Sequence, residues 1–175
     1  MRVFFALQPD PDILVQLADW RDRQFPGVGR PVPPANLHLT LAFVGDIEPG
    51  SLDTLGDNVD RWCDKARPQG GELAMDQTGY WHRPGIYWLG PSRWPDSLGD
   101  MAAGLRSVAA RAGGKRESGG FQPHVTLFRG CREAPPAPAL LPGVTFSYDR
   151  FTLFESRQGR QGVSYQPIHD WELAP

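Results

Sequence analysis

Apolar residues in this chain recur with a period near two in some segments and near 3.6 in others, and the alternation predicts its elements. Arg2 to Gln8 reads as a strand. Asp10-Pro11 opens a helix, Asp as N-cap and Pro in the first helical position. Ile13, Leu14, Leu17, Ala18 and the stem of Arg21 form its apolar stripe, and Pro26-Gly27 stops it. A turn-rich loop leads to a strand from Leu37 to Val44. A second helix begins at Pro49, with Leu52, Leu55, Val59, Trp62 and Cys63 on one side, and breaks at Gly70-Gly71. Strands are predicted over Glu72 to Thr78 and Gly85 to Leu89. A third helix opens at Pro95, buries Leu98, Met101, Ala102, Leu105, Val108 and Ala109, and ends at Gly113-Gly114. Phe121 to Arg129 is the next strand. A Pro/Ala connector from Ala134 to Pro142 precedes closing strands over Val144 to Glu155 and Val163 to Leu173.

Within this series one unit occurs twice. A strand around Phe4, a helix and the strand bearing His38-Leu39-Thr40-Leu41 are echoed by a strand around Trp88, a helix and the strand bearing His124-Val125-Thr126-Leu127. The expected fold is α+β: two pseudo-symmetric lobes of antiparallel sheet plus helices, packed sheet against sheet around a central cleft, one motif from each. Residues 1–175 would form a single bilobal domain, a length sufficient for one shared core.

On a strand, side chains at i and i+2 leave the same face. Each tetrapeptide therefore presents an imidazole beside a hydroxyl. Strict alternation places Leu37, Leu39, Leu41 and Phe43 on one face of the first strand and His38, Thr40, Ala42 and Val44 on the other. In the second, Val125 and Leu127 oppose His124, Thr126 and Phe128. Two such pairs facing one another would gather an acid, a base and two hydroxyl donors around a small anion. Arg129 would add a cation, but alternation puts it opposite His124 unless the strand twists or bulges after Phe128.

The flanks of these motifs resemble one family. Pro34-Ala35-Asn36-Leu37 before His38, with Phe43-Val44-Gly45 after it, and Phe121-Gln122-Pro123 before His124, with Arg129 after it, are similar to the two motif regions of the two-histidine (2H) phosphoesterases. Within that superfamily the chain resembles the bacterial and archaeal RNA 2′,3′-cyclic phosphodiesterases, also called 2′-5′ RNA ligases. The opening MRVFFAL, the segment Phe151 to Ser156, and Gly162, Tyr165 and Trp171-Glu172-Leu173 extend the likeness over nearly the whole chain. The resemblance implies hydrolysis of RNA 2′,3′-cyclic phosphate ends to 2′-phosphates without a metal or other cofactor, and possible reverse 2′-5′ ligation. It makes His38 the proton donor and His124 the acceptor, with Thr40, Thr126 and Arg129 on the phosphate. The repeat itself treats the two histidines alike. The implied partners are RNA 3′ ends or nucleotides bearing a 2′,3′-cyclic phosphate.

Other readings stay open at this stage: a cyclic phosphodiesterase for small nucleotides, a non-catalytic nucleotide-binding module, or a metal site built from His38, His124 and a cysteine. Against the last, the i+2 partners are threonines, which are poor metal ligands. His82 and His169 read as surface residues; Tyr80, Trp81, Tyr87 and Trp88 read as core aromatics on which a base could alternatively stack.

Composition adds exclusions. With 40 % hydrophobic and 22 % charged residues, the chain is ordinary for a globular protein. It has no apolar run of the ~18 residues that a membrane helix needs. Its start lacks the shape of a signal peptide, so a cytoplasmic location is expected; the chain is read as a monomer. The net charge of −2 gives no global attraction to long nucleic acid, although arginines outnumber lysines sixteen to two. Lys115, Arg116, Arg150, Arg157 and Arg160 read as a solvated charged face or a cleft rim. Cys63 and Cys131 read as unpaired thiols.

Overall fold

A computed structural model describes residues 1–115, 117 and 119–175. Its elements, in chain order, are β1 (Arg2–Leu7), α1 (Pro11–Gln24), β2 (Arg30–Pro31), β3 (Leu39–Asp46), α2 (Leu52–Ala66), β4 (Gly71–Ala74), β5 (Gln77–Trp81), β6 (Ile86–Gly90), α3 (Asp96–Arg111), β7 (Val125–Arg129), β8 (Thr145–Tyr148), β9 (Arg150–Gly159) and β10 (Gly162–Glu172). The α+β class and the antiparallel pairing agree with the sequence reading.

The two repeats are not packed sheet against sheet. Their strands run edge to edge in one antiparallel sheet, ordered β10-β9-β1-β3-β7-β6-β5, with β2 alongside β7. The halves meet where β3 borders β7, through the single register pair Leu39–Val125. Beyond it the two strands diverge, β3 continuing along β1 and β7 along β6. Alternation cannot reveal this join, because an edge-to-edge contact of one residue leaves no period.

The predicted strands Glu72 to Thr78 and Val144 to Glu155 each divide in two. Met75-Asp76 separates β4 from β5, and Asp149 separates β8 from β9. In both cases the pieces belong to different sheets: β4 and β8 pair with each other, while β5 and β9 join the large sheet. Asp10 precedes α1 as expected but makes no side-chain cap; Pro11 alone marks the start. Cys63 and Cys131 are both free thiols.

The helices cross between the halves. The residues around the end of α1, which follows β1, lie under β6 and β7: the Phe25 ring meets Tyr87 and Phe128 edge-on, with centroids 5.0 and 6.3 Å away. Helix α3, which follows β6, packs against β3 and against α2, where Gly104 faces the Trp62 indole with no room for a Cβ. Leu17, Val59, Leu105, Leu41 and Leu127 consequently share one core with Phe5 and Phe151.

Among the described residues Arg21 is the charged residue of that core, only 3 % exposed. Its Nη1 donates to the carbonyls of Val32 and Leu127, and its guanidinium lies 5.6 Å from the Phe128 ring centre. Nε pairs with Asp22 at 3.0 Å. Helical spacing predicts only the stem of Arg21 in the core; its whole side chain is there, where it supplies the buried Val32 carbonyl with a donor. Replacement by Met keeps the bulk but orphans the Val32 carbonyl, whereas that of Leu127 keeps the Val32 N–H, and leaves Asp22 without its cation. Arg21→Met should cost about 2–3 kcal/mol, lowering the Tm by roughly 5–10 °C in a thermal melt. An unchanged Tm would show that the buried cation contributes nothing net.

Candidate active site

His38 and His124 each immediately precede their strand, one residue before the pair Leu39–Val125. Carried one step to either side, the antiparallel register sets His38 beside Thr126 and Thr40 beside His124. Leu39 and Val125 point into the core and are fully buried, so these four side chains leave the opposite face. All four are half-buried.

The imidazoles are oriented in the same way. Nδ1–H of His38 donates to the Asn36 carbonyl at 2.7 Å, and Nδ1–H of His124 donates to the Gln122 carbonyl at 2.8 Å. A carbonyl only accepts, so Nδ1 carries the proton and Nε2 of each neutral ring holds the free lone pair. Nε2 of His38 lies 2.9 Å from Thr40 Oγ1, which donates to the neutral ring and accepts from the protonated one. The supporting loops are tied down by the amides at the same i−2 positions. Asn36 Nδ2 donates to the Val163 carbonyl at 2.8 Å, and Gln122 Nε2 donates to the Pro91 and Pro123 carbonyls at 3.3 and 3.0 Å. The sequence held a signal for this pair, since an amide precedes each motif histidine by two residues.

Aromatic rings enclose both histidines. The centroids of Phe4 and Tyr165 lie 5.1 and 5.0 Å from that of His38. Trp81 and Trp88 lie 4.6 and 6.1 Å from His124. Trp81, read from sequence as a core aromatic, thus forms a wall of the site, and Trp88, buried as expected, backs it at 5.3 Å. Tyr87 does belong to the core, and Tyr80 packs against it while its hydroxyl donates to the Cys131 carbonyl at 3.1 Å. Gly79 makes the tryptophan wall possible: a Cβ there would come within 2.1 Å of the Trp88 indole.

Strict alternation fails just past each threonine, in the same manner. Thr40 pairs with Ala6, but the next partner of β1, Phe5, takes Ala42, leaving Leu41 as an extra residue. Thr126 pairs with Trp88, but Tyr87 takes Phe128, leaving Leu127 as the extra residue. Each bulge reverses the faces beyond it. Ala42 and Phe128 turn into the core, and Arg129 and Phe43 turn outward on the histidine side. The expected placements of Phe43 in an apolar row and of Ala42 and Phe128 beside the histidines are therefore corrected. A second irregularity, at Val44, buries that residue as well.

Arg129 reaches the site through this bulge, and its charge acts on both rings. Burial pushes the His38 pKa down to about 4; the Asn36 hydrogen bond opposes that shift, while Arg129 and His124 reinforce it. Burial is also the main cause lowering the His124 pKa, opposed by the Gln122 hydrogen bond and reinforced by Arg129. Both rings are thus neutral at pH 7 in the empty site, next to a guanidinium. An anion held there would offset that repulsion and favour a proton on an imidazole.

The other named residues lie elsewhere. His82 is exposed; His169, also exposed, packs on Trp171 at 4.6 Å. Arg150 and Arg157 pair with Asp149 and Glu155 at 3.2 and 2.9 Å, while Lys115 and Arg160 are exposed. Arg116 falls outside the described residues. Among the described residues, no three His, Cys, Asp or Glu side chains gather as metal ligands, and no helix is long and apolar enough to cross a membrane.

This duplicated arrangement has a counterpart among known families. The family of LigT-like phosphoesterases matches the chain twice, over residues 7–88 and 89–165, one match for each half, and the chain belongs to that family. Among curated relatives, the RNA 2′,3′-cyclic phosphodiesterase of Escherichia coli is 38 % identical over 98 % of this chain and 96 % of its own. The Thermus thermophilus protein of the same name is 28 % identical, over 99 % of this chain and 90 % of its own. Among solved structures, E. coli LigT complexed with 3′-AMP superposes with a TM-score of 0.87 at 35 % identity, covering 99 % of this chain and 98 % of that one.

The shared action of Arg129 gives a direct test. Arg129→Gln removes a cation from both imidazoles, so both should protonate more readily. In an NMR titration of the free protein, the His38 and His124 midpoints should both move up from their depressed positions. Two unmoved midpoints would place Arg129 outside electrostatic reach of the site.

Proposed function

We propose that the chain hydrolyses RNA 2′,3′-cyclic phosphate ends to 2′-phosphates, with His38 as acid and His124 as base. The observation that carries this reading is the shared polar face of His38, Thr40, His124 and Thr126, with Arg129 turned onto it by a bulge. The names of the curated relatives support the substrate class.

Each group then has a defined task. The guanidinium attracts the phosphodiester anion, and the threonine hydroxyls donate to its non-bridging oxygens, where charge grows in the transition state. Neutral His124 accepts a proton from water through Nε2 as the water oxygen bonds to phosphorus. The bond from phosphorus to the ribose 3′ oxygen breaks, and that oxygen takes the proton from Nε2 of His38. Burial makes an imidazolium at His38 a strong acid, so it readily gives up the proton that the bound anion induced it to hold. Atoms and charge balance without a metal. With a 5′-hydroxyl in place of water, the same path joins the cyclic end to that hydroxyl in a 2′-5′ linkage, and the 3′ oxygen leaves with the proton from His38. In this reading residues 1–175 work as one bilobal unit, a monomer in the cytoplasm.

Product analysis of a cyclic-phosphate oligonucleotide tests the reaction. The expected product carries a 2′-phosphate, and turnover persists in excess EDTA. His38→Ala and His124→Ala should each reduce kcat by about 10²–10⁴-fold. Thr40→Val and Thr126→Val should fold normally and lose about 10²–10³-fold in kcat, the scale of one oxyanion donor. A 3′-phosphate product would reverse the leaving group, and near-normal rates in either histidine variant would remove that residue from the chemistry.

A further inference from the structure

Two strands share one edge of β7. Val125 pairs with Leu39 on one side and Leu89 on the other, and Phe128 pairs with Pro31 and Tyr87 in the same way. The edge away from β6 therefore belongs to β3 near the histidines and to β2 further along. Where the chain would reach β7 again it is Val32 that does so, its N–H donating to the Leu127 carbonyl at 3.0 Å. The residues between leave the sheet through a single 3₁₀ turn over Pro34–Asn36. Strand β2 thus lies in line with β3, beyond His38 and on the side away from Thr40.

On that line Arg30 stands directly across from Arg129. Residues opposite one another in a strand pair project from the same face, so Arg30 shares the histidine face with Arg129. Its guanidinium runs beside Gly130, where a Cβ would come within 3.2 Å of Nε and 3.4 Å of Nη2. Arg30 is exposed, and among the described residues neither it nor Arg129 pairs with a carboxylate. Like charges directly opposite destabilise a strand pair. The chain has acids to spare, 20 against 18 basic residues, yet places none here. Two neighbouring guanidiniums without a counter-charge suit a ligand that carries two negative groups.

We propose that Arg30 binds the phosphate on the 5′ side of the terminal nucleotide while Arg129 holds the cyclic phosphate, which makes Arg30 a specificity residue for cyclic ends that follow a phosphodiester. This rests on the cyclic phosphodiesterase reading above, in which the 3′ oxygen leaves towards His38. The carbon bearing that oxygen, C3′, is bonded to C4′, which carries C5′ and the 5′ phosphate. The 5′ phosphate therefore departs from the ribose on the His38 side, the side along which β2 continues. Thr126, level with His38, and Arg129, level with Arg30, are three positions apart, roughly 10 Å along β7. The long Arg30 side chain and the C4′–C5′ arm of the nucleotide approach each other across that interval.

The test compares wild type, Arg30→Gln and Arg30→Lys on adenosine 2′,3′-cyclic phosphate, its 5′-phosphorylated form and the dinucleotide adenylyl-(3′→5′)-adenosine 2′,3′-cyclic phosphate. Arg30→Gln should lose about tenfold in kcat/KM on the two substrates with a 5′ phosphate, the scale of one charge-assisted contact, mostly through KM. The loss should be much smaller on the plain adenosine ester, and Arg30→Lys should restore most of the activity. On the dinucleotide, the slope of log kcat/KM against log salt concentration should become shallower by about 0.7 in Arg30→Gln, one phosphate contact fewer on a single strand. An equal loss on all three substrates, or none on the phosphorylated pair, overturns the proposal. If the wild type turns over no cyclic phosphate, the reaction reading fails by itself, and the second phosphate site is read from calorimetry with adenosine 2′-monophosphate and adenosine 2′,5′-bisphosphate. Tighter wild-type binding of the bisphosphate that disappears in Arg30→Gln supports the site, and equal binding of the two compounds by wild type overturns it.

Discussion

The structure depends on one backbone contact, the register pair Leu39–Val125 that joins two diverging halves of a sheet. Because the pair is antiparallel, it places each histidine across from the threonine of the other motif. Because side chains alternate, burying Leu39 and Val125 obliges all four polar groups to share the opposite face. A slip of one residue would turn the imidazoles into the core and the leucines into the cleft. The apolar burial that stabilises the sheet thereby also sets the register of the polar site.

Electrostatically the site is prepared for a guest rather than balanced for its own sake. Two imidazoles lie against aromatic rings and beside a guanidinium, an environment that resists adding further positive charge. The Nδ1 hydrogen bonds to Asn36 and Gln122 hold each ring with its reactive nitrogen unprotonated while the site is empty. In the proposed reaction an anionic ligand would supply the missing negative charge, and protonation would follow binding. Coupling of this kind lets groups that are both neutral in the free protein divide into acid and base once the anion is in place.

Much of this could be read along the chain because it depends on local chemistry. The His-x-Thr repeat, the order of strands and helices, and the helical stripe of α3 follow from spacing alone. The errors share a different cause. A bulge adds one residue to one strand, and its effect is visible only when the partner is known; hence Phe43, Ala42, Phe128 and Arg129 each landed on a face that alternation did not give. The breaks at Met75-Asp76 and Asp149 were missed for the same reason, since what separates their flanking strands is the sheet each one joins. Arg21 is legible only in part: its spacing fits a buried stripe, but the carbonyls that receive its protons come from distant segments.

The crossing of the helices has a consequence of its own. Each half lends its helix to the other's sheet, the geometry of a domain-swapped dimer fused into one polypeptide. Neither half closes its own hydrophobic interior, so neither is a free-standing module that could be shuffled, lost or replaced during divergence. A substitution near the end of α1 is felt at the second motif, and one in α3 at the first. Drift in either copy is therefore answerable to the other, and the two copies must age together even as their outer residues, a phenyl in one and a guanidinium in the other, part ways.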